Sequence, residues 1–173
     1  MRNMATGKED PKIASFLFSA SLVVTLAGIF IAIYYLFVDA GLAYRIAAGV
    51  LVGVVGIISF VRHSVFYRSD QARMGWQQDH PEFQLEVGYA NLAIGIVALF
   101  AAGLNWGPLA CGMMLLTYGI YLLCALFLHL YEALHAKDIR TRATKSVINT
   151  GIFVIVLLVF AGLALSAAHT VHF

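Results

Sequence analysis

Apolar side chains run along this chain in five long blocks, each separated from the next by a short cluster of charged, Gly, Pro or Asn residues. A helix needs about 20 apolar residues to cross the hydrocarbon of a bilayer. The blocks at about 13–38, 46–66, 85–104, 109–134 and 147–168 all reach that length. None shows the period-two alternation of a barrel strand. The pattern therefore predicts an all-α, polytopic transmembrane helical bundle of five spans. It forms one domain over 13–168, with tails at 1–12 and 169–173.

The breaks carry their own chemistry. Asp39, Gly41 and Arg45 predict a tight turn after the first span. Gly75 and Pro81 interrupt a polar stretch at 67–84, which reads as a connecting segment. Asn105-Trp106-Gly107-Pro108 closes the third span, with Trp106 suited to a membrane interface and Pro108 to the first turn of the next helix. The first block is too long for the apolar core of a secretory leader, and no small-x-small cleavage site follows it. It reads as a retained span.

Composition agrees with the pattern. Apolar residues make up 61% of the 173 and charged residues 12%. A soluble domain of this size would have to expose much of that apolar surface to water. Lipid removes the conflict. The net charge of +2 is no nucleic-acid footprint, and no basic patch alternates with base-stacking aromatics. What informs is where the cations fall. Ten of the 11 Lys and Arg lie in the N-terminal tail (Arg2, Lys8, Lys12), the second connection (Arg62, Arg68, Arg73) and the fourth (Lys137, Arg140, Arg142, Lys145), leaving only Arg45 for the other side. Cationic loops stay cytoplasmic, so the expected topology is N-terminus in and C-terminus out. The basic loops would face anionic lipid headgroups. Cys111 and Cys124 share one apolar run, too far apart for a disulfide, and read as buried small apolar residues.

Spans associate in lipid through small and polar residues. Ser21, Thr25, Gly28, Ala32 and Tyr35 form one helical stripe on the first span. Gly49, Gly53 and Gly56 form one on the second, which arrives at His63, and Gly88, Asn91, Gly95, Ala98 and Ala102 form one on the third. These are expected helix contacts.

Polar groups gather near the expected inner ends of four spans. Arg62 and His63 end the second; Gln84, Glu86 and Asn91 open the third; His129 and Glu132, then His135, close the fourth; Asn149 opens the fifth. Ionisable groups inside a membrane are costly, so they tend to face the interior and pair. The sequence thus places a ligand pocket at Arg62, His63, Gln84, Glu86, Asn91, His129, Glu132 and Asn149, rimmed by Tyr67. With Arg62, Glu86 and Glu132 ionised and both histidines neutral, it would carry one net negative charge.

Several readings of that cluster stand side by side. It is an interfacial belt of snorkelling residues. It is a divalent metal site of His63, Glu86, His129 and Glu132, resembling bundle-core carboxylate sites but with His-x-x-Glu in place of Glu-x-x-His. It is a redox site, with His63 and His129 holding a haem b or hydrogen-bonding a quinone among Phe60, Phe66, Tyr118, Tyr121 and Phe127. Or it is a proton-coupled transport path through Glu86, Asn91 and Glu132. His169-x-x-His172 has a metal-like spacing but lies on a terminal tail. No Walker loop, HExxH, nucleophile elbow or CxxC occurs, so no activated nucleophile points to hydrolysis, and whether the chain is an enzyme stays open.

Gly75-Trp76, then Phe83-Gln84-x-Glu86-Val87-Gly88-x-x-Asn91-Leu92-Ala93-x-Gly95, resembles an uncharacterised family of small multi-pass bacterial and archaeal membrane proteins, a domain-of-unknown-function group. A later His and an Asn opening the last span recur in that family, here His129 and Asn149. The resemblance covers about 60–151 and implies a plasma (inner) membrane location, with no established activity. A looser, architectural likeness is to DoxX-type membrane proteins, some linked to quinone chemistry. Taken together, the expected function is binding of a small polar ligand, metal or redox cofactor at the inner ends of spans two to five. The alternatives are a non-catalytic accessory subunit of a larger membrane complex and a proton-coupled transporter acting as a homo-oligomer.

Overall fold

The computed structural model describes residues 10–75, 81–135 and 140–170, without the side chains of 132, 133, 135 and 140–146. Every regular element among them is helical. Five helices are long and apolar enough to cross a membrane: Lys12–Leu36, Ala40–Val65, Glu82–Gly103, Gly107–Tyr131 and Val147–Thr170. They are called here the first to fifth spans. The fourth continues as helix to His135, and the fifth belongs to a helix that begins at Arg140.

The second span starts six residues before the apolar block that announced it. Asp39, in extended conformation, accepts a hydrogen bond from the Leu42 amide at 3.0 Å and so caps a helix that already includes Gly41 and Arg45. Arg45 is therefore a helical residue, and its Nε donates to the Ala102 carbonyl at the end of the third span, 2.8 Å away. Two stretches of this span, Ala47–Val54 and Val61–Val65, are wound as π-helix. Such wide turns are rare and collect at functional sites.

The polar connection after the second span is also not a loop throughout. A linker helix, Tyr67–Met74, forms there and ends at Gly75, whose φ of 75° is the left-handed cap that glycine adopts without strain. The linker helix packs on the start of the first span. Ser69 Oγ donates to the Asp10 carbonyl at 2.8 Å and accepts from the Ala14 amide at 3.1 Å.

The second span is the centre of the bundle: half of its most apolar window is buried, against 17% for the first span. The buried core joins Ala32 of the first span, Ala47, Ala48, Leu51, Val52 and Val55 of the second, Ala98 of the third, Cys111, Leu115 and Tyr118 of the fourth, and Leu157, Phe160 and Ala161 of the fifth. Small residues set how closely the helices approach. Thr25, Gly28 and Ala32 are the buried face of the first span. Gly88, Asn91, Gly95, Ala98 and Ala102 are all buried on the third. Where second and third spans cross, backbone meets backbone: a Cβ on Gly56 would stand 2.9 Å from the Asn91 carbonyl, and one on Gly95 would stand 3.0 Å from the Gly53 carbonyl.

The outward faces carry large apolar side chains, including Phe16, Phe30, Phe100, Phe127 and Ile155, as a lipid-facing surface requires. Cys124 belongs to that surface. Cys111 is buried as expected, but Cys124 is exposed, because the fourth span turns that face away from its neighbours.

Candidate functional site

The densest polar cluster among the described residues centres on Asp70, a residue of the linker helix whose side chain is fully buried. Two of its close partners come from the end of the second span, where the π-wound turn presents consecutive residues. His63 Nδ1 lies 2.8 Å from Asp70 Oδ2, and Arg62 Nε lies 3.6 Å from Oδ1. The third partner, Arg73 Nε, donates to Oδ1 over 3.0 Å, one turn along the linker helix. The fourth, Gln84 Nε2 at the start of the third span, donates to Oδ2 over 3.4 Å. Three helical elements thus converge on one carboxylate. From the first span, the Phe18 ring lies against both guanidiniums, its centroid 4.9 Å from Arg73 Cζ and 5.5 Å from Arg62 Cζ.

The hydrogen bonds assign a tautomer. Arg62 Nη2 is 2.9 Å from His63 Nε2. A guanidinium only donates, so this ring nitrogen accepts, which places the proton on Nδ1, toward Asp70. The Nδ1–H points off the straight line to the carboxylate, so the contact is close in distance but bent in angle. With His63 neutral, Arg62 and Arg73 positive and Asp70 negative, the cluster carries one net positive charge. Both arginine Nε atoms face the same oxygen and lie within about 7 Å of each other. At an effective dielectric near 20 their repulsion is roughly 2 kcal/mol.

Burial alone would raise the Asp70 pKa. The His63 contact and the Arg62 and Arg73 charges outweigh burial and bring it down from 3.8 to about 2. The carboxylate is therefore ionised throughout the physiological range.

A second polar layer lies deeper, about 13 Å along the third span from Glu82 by helical rise. Tyr118 Oη donates to Asn91 Oδ1 at 3.0 Å, and Asn91 Nδ2 donates to Tyr121 Oη at 3.0 Å and to the Val87 carbonyl at 2.7 Å. Ser59 of the second span also bonds to Tyr118. The two rings stack with centroids 6.0 Å apart. Three spans are stitched together by these bonds. Asn91→Leu removes the acceptor of a buried hydroxyl and is expected to cost about 2 kcal/mol, while Tyr118→Phe costs about 1. Combining the two should cost less than their sum, because both single changes remove the same Tyr118–Asn91 bond. Thermal unfolding of the four proteins in one detergent checks this, and strict additivity would contradict the direct bond.

The residues singled out in the sequence separate into two groups. Arg62, His63 and Gln84 meet around Asp70, and Asn91 lies deeper in the bundle, joined to the tyrosines. Glu86 is exposed, on the opposite side of the third span from the buried stripe, and Asn149 is exposed on the fifth. His129 is half-buried on the fourth span, and Tyr67 is in contact with Arg68. The side chains of Glu132, His135 and Arg140, and all of Trp76 and His172, lie outside the described residues. The carboxylate beside His63 and Arg62 is Asp70, not the exposed Glu86. Among the described residues, no three His, Cys, Asp or Glu side chains gather as a metal-ligand set.

Asp70 had a signal of its own. Asp70 and Arg73 are spaced i, i+3, the mark of a paired helix face. A basic pair closing a span also needs a nearby counter-ion.

A polytopic bundle with an internal ion cluster defines a class, multi-pass membrane proteins, rather than an activity. Within that class, residues 11–171 match the model of DUF6790, a family of unknown function, and the chain belongs to that family. No curated protein and no solved structure matches it.

Proposed function

We propose that this protein binds a small polar ligand at the Asp70 end of its bundle, and that this end faces the cytoplasm from a plasma membrane. The observation that carries the reading is the excess of buried donors: four side chains from three elements crowd one carboxylate, two of them guanidiniums. A cluster that served only to fasten the linker helix would reach neutrality with one guanidinium. Arg62, His63, Gln84 and Asp70 form the binding set in this reading, with Asn91 and the two tyrosines supporting it from below. The cytoplasmic assignment rests on the ten cations grouped on one side of the sequence.

Two experiments test it. A fluorescent protein that matures only in the cytoplasm should glow when fused to the N-terminus and stay dark at the C-terminus; the reverse pattern rejects the orientation. Mass spectrometry of extracts from purified wild type and Gln84→Leu should find a small molecule enriched with the wild type. If neither a small molecule nor a particular lipid is enriched with the wild type over Gln84→Leu, and no compound of a broad metabolite panel raises the unfolding temperature, the binding reading fails.

A further inference from the structure

We infer that the ligand of this site is a phosphate-type anion held by Arg62 and Arg73. The inference rests on the binding reading above and names its ligand class.

The first support is charge. Two guanidiniums share Asp70 Oδ1, and the tautomer of His63 gives it no charge to offset them. One positive charge is left over in a place largely shielded from water. A cationic ligand would add to the repulsion; an anion would relieve it.

The second is unspent hydrogen-bonding capacity. Arg62 Nε and His63 Nδ1 are both buried without a well-aligned hydrogen-bond partner. Both are donors, so what they lack is an acceptor, and buried donors left unpaired are uncommon in folded proteins. Gln84 Oε1 is a buried acceptor in the same condition, which suits a ligand that also carries a hydroxyl, as a protonated phosphate does. Phosphate oxygens match the planar fork of a guanidinium better than a lone halide would.

The third is position. The Phe18 ring covers one side of both guanidiniums, yet Arg62 keeps 14% and Arg73 20% of its side chain exposed. The pair is therefore reachable, at the end of three spans. Asp70 holds the two cations in register without neutralising both.

The phosphate has two sources, a lipid headgroup or a soluble phosphate compound. Detergent-purified, delipidated protein is titrated with inorganic phosphate and followed by phosphorus NMR. In parallel, protein in nanodiscs of phosphatidylcholine, with or without phosphatidylglycerol, is weighed by native mass spectrometry for retained lipid. Binding in at least one arm is expected; saturation by phosphate alone points to a soluble ligand, and retention of phosphatidylglycerol alone to a lipid. Arg73→Gln should weaken binding by about tenfold or more. Arg45→Gln, at the opposite end of the bundle, should leave it unchanged. Arg73 also supports the fold, so Arg73→Lys serves as the second variant, keeping the charge but losing the planar fork; it should weaken binding severalfold. No binding in either arm overturns the inference, as does binding that all three variants retain equally. If neither phosphate source binds while a different molecule co-purifies with wild type but not with Gln84→Leu, the anion inference falls and the binding reading stands.

Discussion

Asp70→Asn is expected to destabilise the protein by about 3–5 kcal/mol, seen as a large drop in the thermal unfolding midpoint in detergent. The substitution preserves shape and removes only charge. It leaves Arg62 and Arg73 facing each other with no anion between them, and it turns one acceptor oxygen into a donor against the arginines or His63. Arg73→Leu added to Asp70→Asn should recover part of the loss, because one of the two stranded charges is gone. A single variant that melts with the wild type would show that the cluster contributes no stability. Acid should act in the same direction. The folded-state pKa of Asp70, about 2, lies below its ordinary 3.8. The stabilisation is thus complete above about pH 4 and fades as the pH falls toward 2, by roughly 2 kcal/mol in all. Unfolding midpoints measured across that window should fall more for wild type than for Asp70→Asn.

Gly56→Val is the second large effect, expected to cost about 3 kcal/mol or more. The Cβ alone would meet the Asn91 carbonyl at 2.9 Å and Gly95 Cα at 3.2 Å, and neither atom belongs to a side chain that can rotate away. Second and third spans would have to separate, loosening the Tyr118–Asn91 bond nearby as well. Gly162 provides the contrast. A Cβ there meets nothing within 4 Å, so Gly162→Ala should be neutral or stabilising by up to about 1 kcal/mol through helix propensity. If the two glycines tolerate substitution equally well, close packing at the crossing is not what holds these spans together.

Much of this architecture could be read from the chain, for identifiable reasons. Span length and hydropathy leave little choice in lipid, so five crossings follow from five apolar blocks. The small-residue stripes follow from helical periodicity, and Gly88, Asn91, Gly95 and Ala98 are indeed the buried face of the third span. The same periodicity also placed Glu86 outward: it lies two residues, about 200° of rotation, from buried Gln84 and Gly88. A shared position at the end of a span does not fix which face a side chain takes. Asp70 escaped notice for a different reason. It sits in a stretch whose Gly75 and Pro81 suggested a loop, and only the fold shows that two helical turns intervene before Gly75. The wide turns of the second span had no sequence signature, because π and α winding draw on the same residues. One of them lies where Arg62 and His63 both approach Asp70.

The two thiols offer a practical benefit. Cys111 is enclosed by the core and Cys124 looks outward from within a crossing helix. In intact cells, a maleimide too polar to enter the membrane should find neither of them. Engineered cysteines placed one at a time in the connecting segments could then be mapped by labelling against a silent background, with the native pair left in place.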